Sequence, residues 1–302
     1  MFKGSITALI TPFTNQEVDW EAFDNFVEWQ VEQGSHGVVP CGTTGESPTL
    51  SHEEDKKLVK RCVEIVNGRI PVIAGTGSNS TKECLELTEN AKEAGADAAL
   101  IVAPYYNKPT QDGLYNHYKT VHDAAGLPIV VYNIPGRSVV DISIDTMCRL
   151  AELPQIVGVK DATADLARPL ELRNRIGDDF CQLSGEDATA AAFLAQGGHG
   201  CISVTSNVAP GLCAAMHQAW INKDIPAMEA IRDKLAPLHK SLFLESSPAP
   251  VKYAASQLGI CTEEVRAPLV PASTSCQKAV DQAIAFAGLQ SDQEAPKLRA
   301  HG

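Results

Sequence analysis

The chain has 302 residues, 44% of them hydrophobic, which is enough to bury a sizeable core. The length suits one α/β barrel of about 250 residues with an extension, or two domains of about 150 residues each. The formal net charge is −12 and no Lys/Arg block occurs, which argues against nucleic acid or an anionic membrane surface as a partner. With that charge, a carboxylate substrate needs a local cluster of donors to hold it.

The N-terminus runs from Met1 to Ser5 straight into Ile6–Ile10, an apolar stretch too short for a signal peptide core or a membrane span. It reads as the first strand. Short apolar, β-branched runs then recur at Ile6–Thr11, Gly37–Pro40, Pro71–Gly75, Ala98–Ala103, Ile129–Asn133, Ile156–Lys160, Gln182–Ser184 and Gly200–Thr205. Their near-continuous apolarity predicts parallel strands covered on both faces.

Helical patterns separate them. Trp20, Phe23, Val27 and Val31 share one face, as do Cys84, Leu87, Ala91 and Ala94. Ser51–Glu54 and Ser80–Glu83 read as capping boxes. Gly34, Gly68, Gly95 and Gly126 stand where C-terminal cap glycines belong. Eight strands alternating with helices predict a (β/α)8 TIM barrel. An open doubly wound sheet is the second choice, weakened because no G-x-G-x-x-G follows the first strand.

From about Pro226 the strand rhythm stops. Helices are expected over 228–244, 251–258 and 277–287, and the last dozen residues are polar and expected to fray. The expected division is a catalytic barrel over 1–225 and a C-terminal helical segment over 226–302. Nine cysteines are scattered from Cys41 to Cys276 with no C-x-x-C. They read as free thiols in a reducing compartment, so a soluble, cytoplasmic protein is expected. The eight histidines form no H-x-x-x-H or H-x-H pair, which disfavours a catalytic metal.

Reactive side chains of such barrels collect at the C-terminal ends of strands. Lys160 closes the apolar run from Ile156 to Val159. Burial there favours the neutral, nucleophilic amine; the position also suits a lysine that snorkels to solvent or pairs with Asp161. Tyr132 ends the preceding strand, where a phenol can pass a proton to a carbinolamine or simply pack in the core. Gly42-Thr43-Thr44-Gly45 can hold a carboxylate or be a plain turn. Arg137 can clamp a carboxylate in two-pronged fashion or face solvent.

Taken together and in order, Gly42-Thr43-Thr44-Gly45-Glu46, Pro104-Tyr105-Tyr106-Asn107, Tyr132-Asn133-Ile134-Pro135-Gly136-Arg137 and Gly158-Val159-Lys160-Asp161-Ala162-Thr163 closely resemble the dihydrodipicolinate synthase family, within the N-acetylneuraminate lyase superfamily of Schiff-base barrels. The resemblance runs from about Gly4 to Gly288. It implies an imine between Lys160 and pyruvate, with Thr44 and nearby N–H groups on the pyruvate carboxylate and Ile202 also in the substrate site. Tyr132 would be the central acid/base. Thr43 and Tyr106 would complete a proton relay, Tyr106 entering from a neighbouring subunit. Arg137 would hold the carboxylate of L-aspartate 4-semialdehyde. The product would be a hydroxylated tetrahydrodipicolinate on the route to lysine through diaminopimelate. The family is typically a homotetramer of two tight dimers and needs no cofactor.

In members sensitive to L-lysine, positions matching Ser47, Pro48, His52, Asn79, Glu83 and Tyr105 line a regulatory cleft at the tight-dimer interface. Asp55 stands where some of them carry a second histidine. Ser138-Val139-Val140 departs from the Thr-Gly of many members, and the threonine pair speaks against the lyase branch, where Ser-Thr is more usual. Three rivals remain at this point: another pyruvate-dependent aldolase of the same superfamily, a pyridoxal-phosphate barrel, and a non-catalytic ligand-binding barrel.

Overall fold

The computed structural model describes residues 1–289. The expectation for the last dozen residues lies outside them. All eight expected strands form: β1 (Gly4–Ala8), β2 (Gly37–Val39), β3 (Ile73–Gly75), β4 (Ala98–Val102), β5 (Ile129–Asn133), β6 (Ile156–Asp161), β7 (Cys181–Ser184) and β8 (Gly200–Ser203). They make one parallel sheet in the order β2-β1-β8-β7-β6-β5-β4-β3. The two edges meet at a parallel bridge between Val38 and Val72. There the Val38 N–H donates to the Pro71 carbonyl at 3.0 Å and the Gly75 N–H to the Pro40 carbonyl at 2.9 Å. The sheet is therefore a TIM barrel, with every edge paired.

Eight helices wrap it: α1 (Trp20–Glu32), α2 (His52–Val66), α3 (Thr81–Ala94), α4 (Gln111–Ala125), α5 (Ile144–Ala151), α6 (Arg168–Ile176), α7 (Ala190–Ala195) and α8 (Pro210–Ile221). Alternation along the strands sorts side chains into two layers. Ile6, Ala8, Val39, Ile73, Leu100, Val130, Leu183 and Ile202 fill the barrel. Val38, Ala74, Ile101, Val131 and Val159 point outward into the layer shared with Phe26, Val27, Leu58, Leu114 and Tyr118 of the helices. Continuous apolar runs were needed because both faces are buried.

The Ser51–Glu54 capping box forms in full at the start of α2, whereas the Ser80–Glu83 box forms only by half. Ser80 Oγ accepts from the Glu83 N–H at 3.4 Å, but Ser78 intercepts the return bond: its Oγ accepts from the Ser80 N–H at 3.0 Å and donates to the Glu83 carboxylate. A two-strand antiparallel hairpin, Phe13–Thr14 with Glu17–Val18, precedes α1 and was not expected. Runs of two residues carry no periodicity to read.

The C-terminal extension is α9 (Ile225–Ser241), α10 (Ala249–Gln257) and α11 (Thr274–Ala287). Each begins two or three residues before the expected start. Pro226 and Pro250 sit in the first turns of α9 and α10, where a missing N–H costs nothing, and Ser273 caps α11. The extension is tied to the barrel by polar contacts, two of them buried and one half-buried. Thr205 Oγ1 and His239 Nδ1 lie 2.8 Å apart, and Arg266 bridges to Glu54 at 2.6 Å, holding the Glu54 carboxyl down at about 2. Lys252 Nζ lies 2.7 Å from Glu46 Oε1, with both side chains at most 1% exposed.

Candidate active site

The site is built at the C-terminal mouth of the barrel, and an irregularity in the sheet sets its central pair. Ile129 pairs with Ile156, but the next residue, Val130, pairs with Gly158. Val157 is thus an extra residue, a β-bulge in β6. With an unbroken register Tyr132 would face Val159, whose side chain points outward to the helices. The bulge brings Tyr132 opposite Lys160 instead, and both side chains turn into the barrel. Lys160 is 6% exposed, and its Nζ lies 4.1 Å from the centroid of the Tyr132 ring. That is cation–π distance, and the ring face supplies some of the electrostatic support that a buried ammonium loses with its water.

The pairing of Lys160 with Asp161 that the sequence left open does not occur. Asp161 faces the other way: its Oδ2 accepts from Arg168 Nε at 3.0 Å, and its Oδ1 from the Thr163 N–H and hydroxyl at 2.9 and 2.6 Å. Among the described residues no carboxylate pairs with the Lys160 amine. Gly185 leaves it room, since a Cβ there would lie 3.1 Å from Lys160 Cε and 2.7 Å from Ala162 Cβ.

After β2 the chain makes the turn from Gly42 to Glu46, with the Gly45 N–H donating to the Gly42 carbonyl at 3.0 Å and the Glu46 N–H to the Thr43 carbonyl at 3.2 Å. Thr44 is buried and Thr43 half-buried. Glu46 closes the turn in the left-handed region at φ +58°, which costs about 1–2 kcal/mol for a residue with a Cβ. Its carboxylate is anchored from below by Lys252 and by the Arg266 N–H at 2.9 Å. This anchor is not legible from sequence, because Lys252 and Arg266 lie more than 200 residues from Glu46 in the chain.

Arg137 sits in a short helical turn, Pro135–Ser138, directly after β5. It is exposed at the mouth, with one contact to the Ser247 carbonyl at 3.4 Å. Glu186, at the end of β7, lies within electrostatic reach of both Lys160 and Arg137. Burial and the neighbouring Asp187 hold its carboxyl above the usual range. Glu186 and Ser247 were missed from sequence, since neither belongs to a motif with a recognisable spacing. Ile202 is 1% exposed inside the barrel, paired with Ile6.

A cavity of about 380 Å³ is lined by Thr43 and Arg137 on its barrel side. It continues to Ser47, Pro48, His52, Glu83 and Tyr105. Asn79 lies beside this cleft rather than in its wall, its carbonyl accepting from Asn107 Nδ2 at 2.9 Å. Glu83 is held below the usual carboxylate range by the Ser78 hydroxyl and by His52, whose Nε2 is 3.0 Å away. Asp55 also lines the cavity, and burial raises its carboxyl to about 6 against the weaker opposing pull of Cys41 and His52. Tyr106 behaves differently from the rest: it is 89% exposed at φ +70°, its ring held away from its own barrel.

A lysine buried against a tyrosine at the mouth of a β/α barrel is the arrangement of Schiff-base barrel enzymes. The model of the "Dihydrodipicolinate synthetase family" matches residues 1–287, and the chain belongs to that family. It is 65% identical to the 4-hydroxy-tetrahydrodipicolinate synthase of Rhodospirillum centenum over 289 residues, 96% of this chain and 99% of that one. The chloride-inhibited dihydrodipicolinate synthase of Acinetobacter baumannii complexed with pyruvate matches with a TM-score of 0.93 at 46% identity, over 96% of this chain and 100% of that one. The dihydrodipicolinate synthase of Cyanidioschyzon merolae with lysine bound matches with a TM-score of 0.92 at 36% identity, over 95% and 99%.

Proposed function

We propose that the chain condenses pyruvate with L-aspartate 4-semialdehyde to 4-hydroxy-tetrahydrodipicolinate, through an imine on Lys160. The observation that carries this reading is the Lys160 amine: buried, free of any carboxylate partner among the described residues, and lying on Tyr132. The amine adds to the pyruvate carbonyl, and the carbinolamine loses water to give the imine. Loss of a methyl proton leaves an enamine, which attacks the aldehyde carbon. The amino group of the second substrate then adds to the imine carbon and displaces Lys160, closing the ring. Tyr132 moves the protons, relayed by Thr43 and Tyr106. Thr44 and the free N–H groups of the turn hold the pyruvate carboxylate, Arg137 holds that of the aldehyde, and Ile202 bounds the pocket floor.

Tyr106 maintains a costly backbone conformation to point its ring away from its own chain, which suits insertion into a neighbouring site. We therefore read the working form as a homotetramer of two tight dimers. The catalytic groups lie in 1–225, and the segment over 226–302 supports them. Among the described residues no helix is long and apolar enough to cross a membrane, and a biosynthetic enzyme of this kind works in the cytoplasm. The cleft formed by Ser47, Pro48, His52, Glu83 and Tyr105, with Asn79 at its rim, is read as a site for L-lysine, whose ammonium Glu83 would meet.

Turnover of pyruvate with a panel of aldehydes tests the reading. L-Aspartate 4-semialdehyde should be turned over fastest; turnover of another aldehyde with none of this one would make the chain a different pyruvate aldolase. Calorimetry with L-lysine tests the cleft: no heat and no inhibition at millimolar concentration would return Glu83 to a merely structural role.

A further inference from the structure

Behind the reactive side chains lies a second layer that the mechanism does not use. Tyr132 and Lys160 point inward, so Asn133 and Asp161, the next residues on their strands, point outward. The Asn133 side chain is fully buried and closes the loop that carries Arg137. Its Nδ2 donates to Asp141 Oδ1 at 2.7 Å, and its Oδ1 accepts from the Ile142 N–H at 3.1 Å. The far end of that loop is then held by Arg168. The Arg168 fork donates through one nitrogen to the Ile142 carbonyl at 2.7 Å and through Nε to Asp161 Oδ2 at 3.0 Å. Arg168 is 7% exposed and Asp161 5%.

We propose that Arg168 is a positioning residue that fixes the Arg137 loop to the Lys160 strand, and so sets where the carboxylate of the second substrate lies relative to the imine. The chain of contacts is continuous: Arg137 loop, Asn133, Ile142, Arg168, Asp161, β6. The fork serves the two acceptors from different nitrogens in a fixed plane, whereas a lysine gathers its donors on one atom at a shorter reach and holds the pair less firmly. The strand is locked in the sheet, whereas the loop is held by these side-chain bonds, by the Ser138 hydroxyl donating to the Val140 carbonyl at 2.9 Å, and by Gln111, whose Nε2 donates to the Asp141 carbonyl at 2.8 Å and whose Oε1 accepts from the Ser143 N–H at 3.1 Å. Loss of the fork therefore moves the loop and leaves Lys160 in place.

The inference rests on the reading that Arg137 holds the aldehyde substrate, and the experiment separates the two. Arg168→Lys, Asp141→Ala and Arg137→Ala are compared by steady-state kinetics, by the yield of pyruvate adduct on Lys160 after borohydride, and by thermal melting. Arg168→Lys should raise KM for the aldehyde about tenfold, leave KM for pyruvate within about twofold, and give the full adduct yield. Asp141→Ala removes an exposed partner of Asn133 that also lies 3.9 Å from Arg168 Nη1, and no buried charge, so it tests the brace even where Arg168→Lys does not fold; a rise of about threefold in the same KM is expected. Unchanged aldehyde KM in both variants, with Arg137→Ala impaired, overturns the brace alone. A parallel rise in both KM values, or a lost adduct, also overturns it. An unimpaired Arg137→Ala overturns the underlying reading of Arg137.

Discussion

Replacing Lys252 by Met tests how the turn from Gly42 to Glu46, proposed to hold pyruvate, is supported. Lys252 and Glu46 form an ion pair at 2.7 Å with side chains 0% and 1% exposed. Removing the cation leaves the Glu46 carboxylate buried, with the Arg266 N–H as its one remaining donor among the described residues. Breaking such a pair from one side costs about 3–5 kcal/mol. Unfolding entropy of about 2.1 cal/mol/K per residue, over 302 residues, gives roughly 0.6 kcal/mol/K, so Tm should fall by about 5–8 °C. Glu46 also closes the turn that carries Thr43 and Thr44, so KM for pyruvate should rise. A misplacement worth about 1.4 kcal/mol is tenfold. Adding Glu46→Gln should recover part of the lost stability, because no unpaired charge is left inside. The assays are differential scanning fluorimetry and initial rates. A Lys252→Met enzyme melting within about 1 °C of the parent, with an unchanged pyruvate KM, would show that the pair does not support the turn.

Further outcomes follow from the site. Tyr132→Phe keeps the ring beneath the Lys160 amine and removes the proton donor, so kcat should fall by about 10²–10⁴-fold with the fold intact by circular dichroism. Tyr106→Phe and Lys160→Ala, each inactive, should regain activity when mixed as hetero-oligomers; confirmed mixed oligomers without activity would contradict the shared site. Arg137→Ala should raise KM for the aldehyde far more than for pyruvate; equal effects would mean a structural role. The cleft should respond to pH. Asp55 titrates near 6 because it is buried, with His52 on its own helix, Glu83 from α3 and Cys41 at the end of β2 around it. A cation binds best to its ionised form, so affinity for L-lysine should rise as pH rises through about 6 and level off above it. From pH 7 to pH 5 calorimetry should show a loss of up to about tenfold. Glu83, held low by Ser78, stays ionised across that window. Asp55→Asn should flatten the profile, and an unchanged profile would remove Asp55 from the cleft's chemistry.

The barrel was legible because its signals are local. Each strand is a short apolar run, a Ser caps α2, α3, α5 and α11, a Pro stands in the first turn of α6, α8, α9 and α10, and Gly95, Gly126 and Gly288 mark helix ends in the left-handed region. Lys160, Tyr132, Thr43, Thr44 and Arg137 were legible because strand ends can be counted. The bulge at Val157 was not: the run from Ile156 to Lys160 looks regular, and only pairing with β5 reveals the extra residue. The Glu46–Lys252 pair and the Arg168 brace escaped for a related reason. Their partners meet through tertiary folding, and a buried Arg or Lys has the same sequence appearance as a solvated one. The second capping box failed through competition, since Ser78 offers Glu83 a nearer hydroxyl than the Ser80 backbone offers it an N–H.

The proposed chemistry turns on an imine at Lys160. Enzyme incubated with pyruvate and borohydride, then digested and analysed by mass spectrometry, should carry one reduced pyruvate adduct per chain, on the peptide containing Lys160, and Lys160→Ala should carry none and lose most of its rate. An adduct on another lysine, or undiminished labelling of Lys160→Ala, would show that Lys160 does not form the imine.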